Sequence, residues 1–381
     1  MSPLRMQRIQ TLNELDGLKE RWLALERRDG GPSIFQSWAW NRIWCEEVLP
    51  SRPRGCLDVR IIEDGAGRPL AILPLFTEAP AGPIVLLTQF LGHRTSFHND
   101  VLLAEPQNAE LAREVVRLLL GGLGPRTILH LRDLNEFSLF TQHLTAANST
   151  EPQCPRVYLR ADPALYDPLM RLGTRSRGTV RNHRNRLRRQ FTVEFRRCSG
   201  DELPPAFDTL VALHHKRFSS QKRPSSLTGP TLAFFRHACA VVGEPGFFEI
   251  TLLTVDGAAI AAELAAHDRG HYFSMIGGFD PDFAKFSPSY LLFLEVMRHG
   301  FTDLGCNIFD FGPGYEKYKY DWSPTVGTNY MCCRGGSGPY AKSLAALYRR
   351  AFRSRLPRVP NIQGRGVSSA DNKPVDAPRA P

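Results

Sequence analysis

The chain has 381 residues, with 48 Lys plus Arg against 38 Asp plus Glu and a net charge of +10. Hydrophobic residues make up 42% and charged residues 23%, ordinary globular usage that excludes wholesale disorder, and the 29 prolines and 31 glycines follow no collagen-like period. No apolar stretch reaches the roughly 18 uncharged residues of a membrane span, and Met1–Leu18 lacks the apolar run of a signal peptide, so a soluble, cytoplasmic protein is expected.

Taken in chain order, Thr11–Arg28 reads as a helix with Leu12, Leu15, Leu18, Trp22 and Leu25 at helical spacing. Thr11 and Glu14 form a capping-box pattern, and Asp29-Gly-Gly-Pro32 ends the helix. A second helix starts near Ser37, anchored by Trp38, Ile43 and Trp44. Cys56–Glu63 and Pro69–Leu75 form a hairpin around Asp64-Gly65. Ile84–Phe90 is a strand, Asn108 caps a helix through Leu120, Thr127–Leu131 is a buried strand and Glu136–Ala146 a helix. Asn148–Pro155 has linker composition, which divides the chain into domains over 1–150 and 156–350.

In the second part Asp162 and Ser176 are expected helix caps, the latter for a helix to about Gln190. Thr192–Arg197 is a strand, followed by helices over Pro204–Phe218 and Thr231–Val242. Three strands, Phe247–Val255, Ala258–His267 and His271–Gly277, make a meander that turns first at Asp256-Gly257. Ser287-Pro288 starts a helix to Gly300, Asn307–Phe311 and Val326–Arg334 are strands, and Ser343–Leu356 has a short helical pattern. Residues 357–381, rich in Pro, Gly and Ser, are expected to form a disordered basic tail. Mixed helices and strands in both parts predict an α/β (α+β) protein of two domains.

Eight cysteines include one adjacent pair, Cys332-Cys333, and no C-x-x-C. Neither a zinc site nor a redox pair is indicated, and no metal is expected. The positive charge is local: Arg171–Arg197 holds ten arginines and one acid, and Pro339 to the end holds nine basic residues and two acids. Arg177, Arg181, Arg184 and Arg188 lie on one helical stripe, with Val180 and Leu187 marking the inner face. Arginine suits bidentate phosphate contacts, so Arg177, Arg181 and Arg184 are candidate acceptor-binding residues; a solvated face is the alternative. No named nucleic-acid motif is present, and no stable nucleic-acid complex is expected.

Three further segments carry chemistry. Alternation in Ala258–His267 sets Glu263 and His267 on one face, and a carboxylate in so apolar a strand is a candidate general base with a raised pKa. Ser287-Pro288-Ser289-Tyr290 opens a helix whose first N–H groups can hold a donor's phosphates, which makes Ser287, Ser289 and Tyr290 candidate donor-binding residues. In Phe309–Trp322, Asp310 is an alternative base, Tyr318 a candidate proton donor and Lys319 a candidate for charge stabilisation.

These patches resemble, in order, the CelD-type acyltransferases of the GNAT acetyltransferase superfamily, related to the FemAB aminoacyltransferases. The resemblance is carried by Phe35-Gln-Ser-Trp-Ala-Trp40 with Trp44, Ile72-Leu-Pro-Leu75 and His98-Asn-Asp-Val-Leu102. It continues in Ser176–Arg189, Leu213-His214 with Arg217-Phe218, Ile260-Ala-Ala-Glu-Leu264, Gly278-Phe-Asp-Pro281, Ser287-Pro288, Asp310-Phe-Gly and Tyr318-Lys319. The resemblance implies two tandem GNAT-like domains with mixed, mostly antiparallel sheets. It implies acyl transfer from acetyl-CoA to a sugar-linked, polysaccharide or cell-envelope precursor. The superfamily's Q/R-x-x-G-x-G/A loop is absent, with Gly278–Ser287 in its place. An aminoacyltransferase using aminoacyl-tRNA and a non-catalytic binding protein of this fold are the alternatives.

Overall fold

Helices and strands alternate through the computed structural model, which describes residues 4–28, 33–80, 82–160, 167–241, 247–322 and 324–353. Strand β1 (Arg5–Ile9) leads into α1 (Leu12–Gly17) and α2 (Lys19–Glu26). The capping box forms: the Thr11 hydroxyl accepts from the Glu14 N–H at 3.2 Å, and Glu14 Oε2 accepts from the Thr11 N–H at 3.0 Å. The single helix expected to Arg28 is interrupted at Leu18, although Leu15, Leu18, Trp22 and Leu25 are all buried. Its expected terminator, residues 29–32, lies outside the described residues. Helix α3 (Trp38–Glu47) starts where Ser37 Oγ accepts from the Trp40 N–H at 3.2 Å; Trp40, Ile43 and Trp44 enter the core, while Trp38 is half-buried.

Six short strands follow: β2 (Cys56–Leu57), β3 (Val59–Glu63), β4 (Pro69–Leu73), β5 (Leu75–Glu78), β6 (Leu86–Phe90) and β7 (Leu102–Leu103). The expected hairpin is β3–β4, with Ile61 opposite Ile72, closed by Asp64, whose carboxylate accepts from the N–H groups of Ala66 and Arg68. Asn108 Oδ1 caps α4 (Ala109–Gly121) through the Leu111 N–H at 2.9 Å. Strand β8 (Thr127–Asn135) precedes α5 (Leu139–Ala146), which is capped by Ser138 and so begins later than Glu136.

The expected linker is corrected by the structure: β9 (Thr150–Arg160) covers most of it. Gln153 explains the extended order, since its amide oxygen accepts from the Asp133 N–H at 2.8 Å and its nitrogen donates to Asp133 Oδ1 at 2.7 Å. Polar turn-forming residues are here held by side-chain partners that composition does not reveal.

The second part contains α6 (Thr174–Gln190), β10 (Val193–Cys198), α7 (Leu203–Ser220), α8 (Gly229–Val241), β11 (Phe248–Val255), β12 (Ala258–Asp268) and β13 (His271–Phe279). It continues with α9 (Pro288–Arg298), β14 (Ile308–Pro313) and α10 (Lys317–Tyr320), then β15 (Thr325–Gly335) and α11 (Pro339–Arg353). Helix α6 starts behind Gly173, so Ser176 is not its cap, while Asp162 and the tail 357–381 lie outside the described residues.

Two compact units result, one of the described residues up to Pro155 and from Thr328 onwards, the other of Arg156–Gly327. The boundary falls inside β9, and the residues after Gly327 pack with the first unit although the sequence assigns them to the second. In the first unit β1-β3-β4-β7 form one sheet and β15-β8-β6-β5-β2 are neighbours in order, with Val115, Leu119, Leu131 and Phe140 in the core. In the second unit the order is β10-β11-β12-β13-β14-β9, and Leu187, Leu253, Tyr272, Phe309 and Trp322 are buried together.

Helix α7 rests on β13 where Gly278 has no side chain. A Cβ there would stand 2.5 Å from the His214 nitrogen and 2.9 Å from its Cα, and backbone cannot rotate away. Gly278→Ala is therefore expected to lower the Tm by several degrees, read by circular-dichroism melting. An unchanged Tm would show that α7 can lift from the strand.

Candidate active site

The second unit's sheet is antiparallel except at one place. β13 and β14 run parallel and pair at His271–Phe273 with Ile308–Asp310; the remainder of β13, Ser274–Phe279, has no partner on β14. A helix between them, α9, makes the parallel crossover. Beyond Phe273 and Asp310 the two strands diverge and no ladder pair joins them.

Glu263 lies on β12 opposite Gly277 of β13, beside this divergence. It is buried, 6% exposed, and accepts a short hydrogen bond from the Ser274 hydroxyl. Burial pushes its carboxyl up to about 7; the Ser274 bond and the Arg217 charge only partly oppose this. Gly277 leaves room for this placement, because a Cβ there would make Glu263 Oε2 shift.

Arg217 comes from the last turns of α7. Its guanidinium donates to the Gly277 carbonyl at 3.5 Å and lies over the Phe279 ring at 5.2 Å, and its Nε is buried with no hydrogen-bond partner. Tyr318 of α10 stacks on Phe293 of α9, 5.5 Å between centroids. Burial first and the Glu263 charge second raise the Tyr318 hydroxyl above its ordinary range, so it stays protonated at neutral pH. A carboxyl that ionises near 7 and a phenol that keeps its proton are a base and an acid held apart by their surroundings.

The other expected residues have different partners. Asp310 is fully buried: Oδ2 accepts from Arg156 Nε at 2.7 Å and Oδ1 from the Gly312 N–H at 2.7 Å. Both oxygens are occupied, one by a buried guanidinium and one by a main-chain N–H. Lys319 donates to the carbonyls of Gly312 (3.3 Å) and Pro313 (2.9 Å) and pairs with Glu316 at 2.9 Å. Its three protons hold the Gly312–Glu316 loop from which α10 starts.

Ser287 has φ 52°, the left-handed region, and makes no side-chain cap bond. Its hydroxyl pairs instead with His183 Nδ1 of α6 at 2.9 Å. Tyr290 donates to Asp321 Oδ2 at 2.6 Å, which leaves Ser289, half-buried, as the member of this trio whose side chain is not committed to a named partner. On α6, Arg177 donates to the Met170 and Leu172 carbonyls at 3.2 and 3.1 Å, fastening the helix start to the preceding turn. Arg181 is exposed and Arg184 half-buried.

Sequence reasoning gave no role to Ser274 or Arg217. Arg217 stands in one of the family-like patches, and Ser274 could be found only with the β12–β13 register, which slips by one residue between Leu264 and Ala265. Among the described residues no group of His, Cys, Asp and Glu is arranged to hold a metal.

Residues 174–320 match the family model described as an acetyltransferase (GNAT) domain. No curated protein matches the chain. Among solved structures, FemX is similar with a TM-score of 0.59 at 11% identity, covering 91% of this chain and 100% of its own. The C-terminal domain (DUF2156) named for a lysylphosphatidylglycerol synthetase from Agrobacterium fabrum gives 0.53 at 13%, covering 91% and 100%. L-PGS from Bacillus licheniformis gives 0.50 at 12%, covering 89% and 97%. At these identities the likeness is one of fold. With the domain match, the protein is an acyltransferase carrying a GNAT acetyltransferase domain, a domain that in general uses acyl-CoA.

Proposed function

We propose that the protein transfers an acyl group, acetyl from acetyl-CoA, to an amine or hydroxyl of a polysaccharide or cell-envelope precursor, as CelD-type enzymes do. The observation that carries this reading is Glu263: a buried carboxyl shifted to about 7, aligned by Ser274 beside the diverging parallel strands. As a base it takes the proton of the attacking nitrogen or oxygen. The nucleophile forms a bond to the acyl carbon, the thioester C–S bond breaks, and Tyr318 donates its proton to the leaving sulfur. The edge of β13 beyond Phe273, which has no ladder partner on β14, suits the donor's amides, and the start of α9 at Ser287 and Ser289 suits its phosphates.

Calorimetry with CoA tests the donor. Binding in the micromolar range is expected, and no heat with CoA together with affinity for tRNA would replace this reading. That second reading, aminoacyl transfer from tRNA, is favoured by one observation, the arginines of α6.

The same arginines are proposed to hold a phosphorylated acceptor. Arg181→Ala with Arg184→Ala is expected to raise the acceptor's KM ten-fold or more, because two charge-assisted contacts are each worth roughly 1.5–3 kcal/mol. The donor's KM and the Tm should be unchanged. Arg177→Ala should behave oppositely, lowering the Tm because it frees two carbonyls at the helix start. An acceptor KM unmoved in the folded double variant removes the stripe from the site.

A further inference from the structure

Helix α11 has one face that the protein uses and another that it leaves exposed. On the inner face Ala341 and Ala345 are buried, and Leu344 and Tyr348 pack with Val85, Leu87 and Ile128. Arg349 donates to the Cys333 carbonyl at 2.6 Å and ties the helix down. On the outer face Tyr340 and Leu347, two turns apart, are 49% and 63% exposed, and Ala351 is exposed one turn farther on. Ile84, 56% exposed, directly precedes Val85, whose side chain packs in the cluster under α11.

The charges on the exposed face of α11 are cations, Arg350 near this stripe and Lys342 on the other edge of the face. Lys342 and Arg350 are exposed on the helix itself, and the exposed Arg54 reaches Gly82, two residues before Ile84. The sequence has no acid between Asp321 and Asp371, while Arg353, Arg355, Arg358 and Arg365 follow in that interval. A second copy of this surface would set cation against cation. A polynucleotide would meet the cations but give Tyr340, Leu347 and Ile84 nothing to enter. An anionic lipid surface satisfies both, since its headgroups match the charge and its acyl boundary accepts the side chains.

We propose that α11 is an interfacial helix that holds the protein against an anionic membrane, with Tyr340, Leu347 and Ile84 entering the headgroup–acyl boundary and Lys342, Arg350 and Arg54 on lipid phosphates. The attachment is peripheral, since no helix among the described residues is long and apolar enough to cross a bilayer.

Flotation of the full-length protein with vesicles tests this. Binding is expected to vesicles of equal parts phosphatidylcholine and phosphatidylglycerol, not to phosphatidylcholine alone, and added salt should weaken it. Each cation near such a surface multiplies partitioning roughly five-fold, so Lys342→Glu with Arg350→Glu should reduce binding at least about ten-fold. Tyr340→Ser with Leu347→Ser should do the same with an unchanged melting curve; should that pair not fold, Leu347→Gln alone is read in the same way. Equal binding to neutral vesicles, or none to either, overturns the proposal. A serine variant that floats like the parent also overturns it, since charge alone would then be responsible. So does self-association in analytical ultracentrifugation that the serine variant abolishes, or a preference for RNA over anionic vesicles in competition.

Discussion

Replacing Glu263 by Gln is expected to lower kcat by roughly 10²–10⁴ while the protein stays folded, because general-base catalysis contributes about that much. Glutamine preserves the shape and can still accept from Ser274. The parent's kcat/KM should rise with pH and level off above about 7, where the carboxyl is ionised, and the variant should lack that inflection. Stability should move the other way. The folded-state carboxyl holds its proton to a higher pH than the unfolded one, at about 7 against 4.5, so the folded protein binds more protons in that window. Parent stability therefore falls as pH rises from about 4.5 to 7, by on the order of 3 kcal/mol, and the Gln variant is spared this loss. A variant with full activity, or one whose Tm relative to the parent is the same at pH 5 and pH 8, would remove Glu263 as the base.

Breaking the Arg156–Asp310 pair should be the largest stability effect in the second unit. Both side chains are buried and Asp310 also takes the Gly312 N–H, so Asp310→Ala strands a guanidinium and an N–H at once. A loss of about 3–5 kcal/mol is expected, measured by urea unfolding. The paired replacement Arg156→Met with Asp310→Leu removes both charges and should recover much of that loss. Its activity separates the two roles. If Asp310 is an anchor, the paired variant retains catalysis in proportion to its folded fraction. A fully folded paired variant without turnover would instead restore Asp310 as a catalytic group.

Local rules in the sequence determined several of the elements and caps. The capping box at Thr11, the Asn108 cap and the turn at Asp256-Gly257 depend on neighbours within a few residues, and each lies where its motif stands. Glu263 was legible for the same reason: a lone acid in an alanine- and leucine-rich strand is costly wherever that strand is buried. What the sequence could not supply were partners distant along the chain. Gln153 turns linker composition into strand by reaching Asp133, twenty residues back. Arg156 meets Asp310 across 154 residues. Ser287 gives its hydroxyl to His183 and not to its own helix. The Ser274–Glu263 contact depends on a strand register with one bulge in it, and the parallel pairing of β13 with β14 ends after three residues. Such contacts follow from how the elements pack. Composition and spacing showed which residues could do chemistry, and tertiary packing decided which of them are left without another partner.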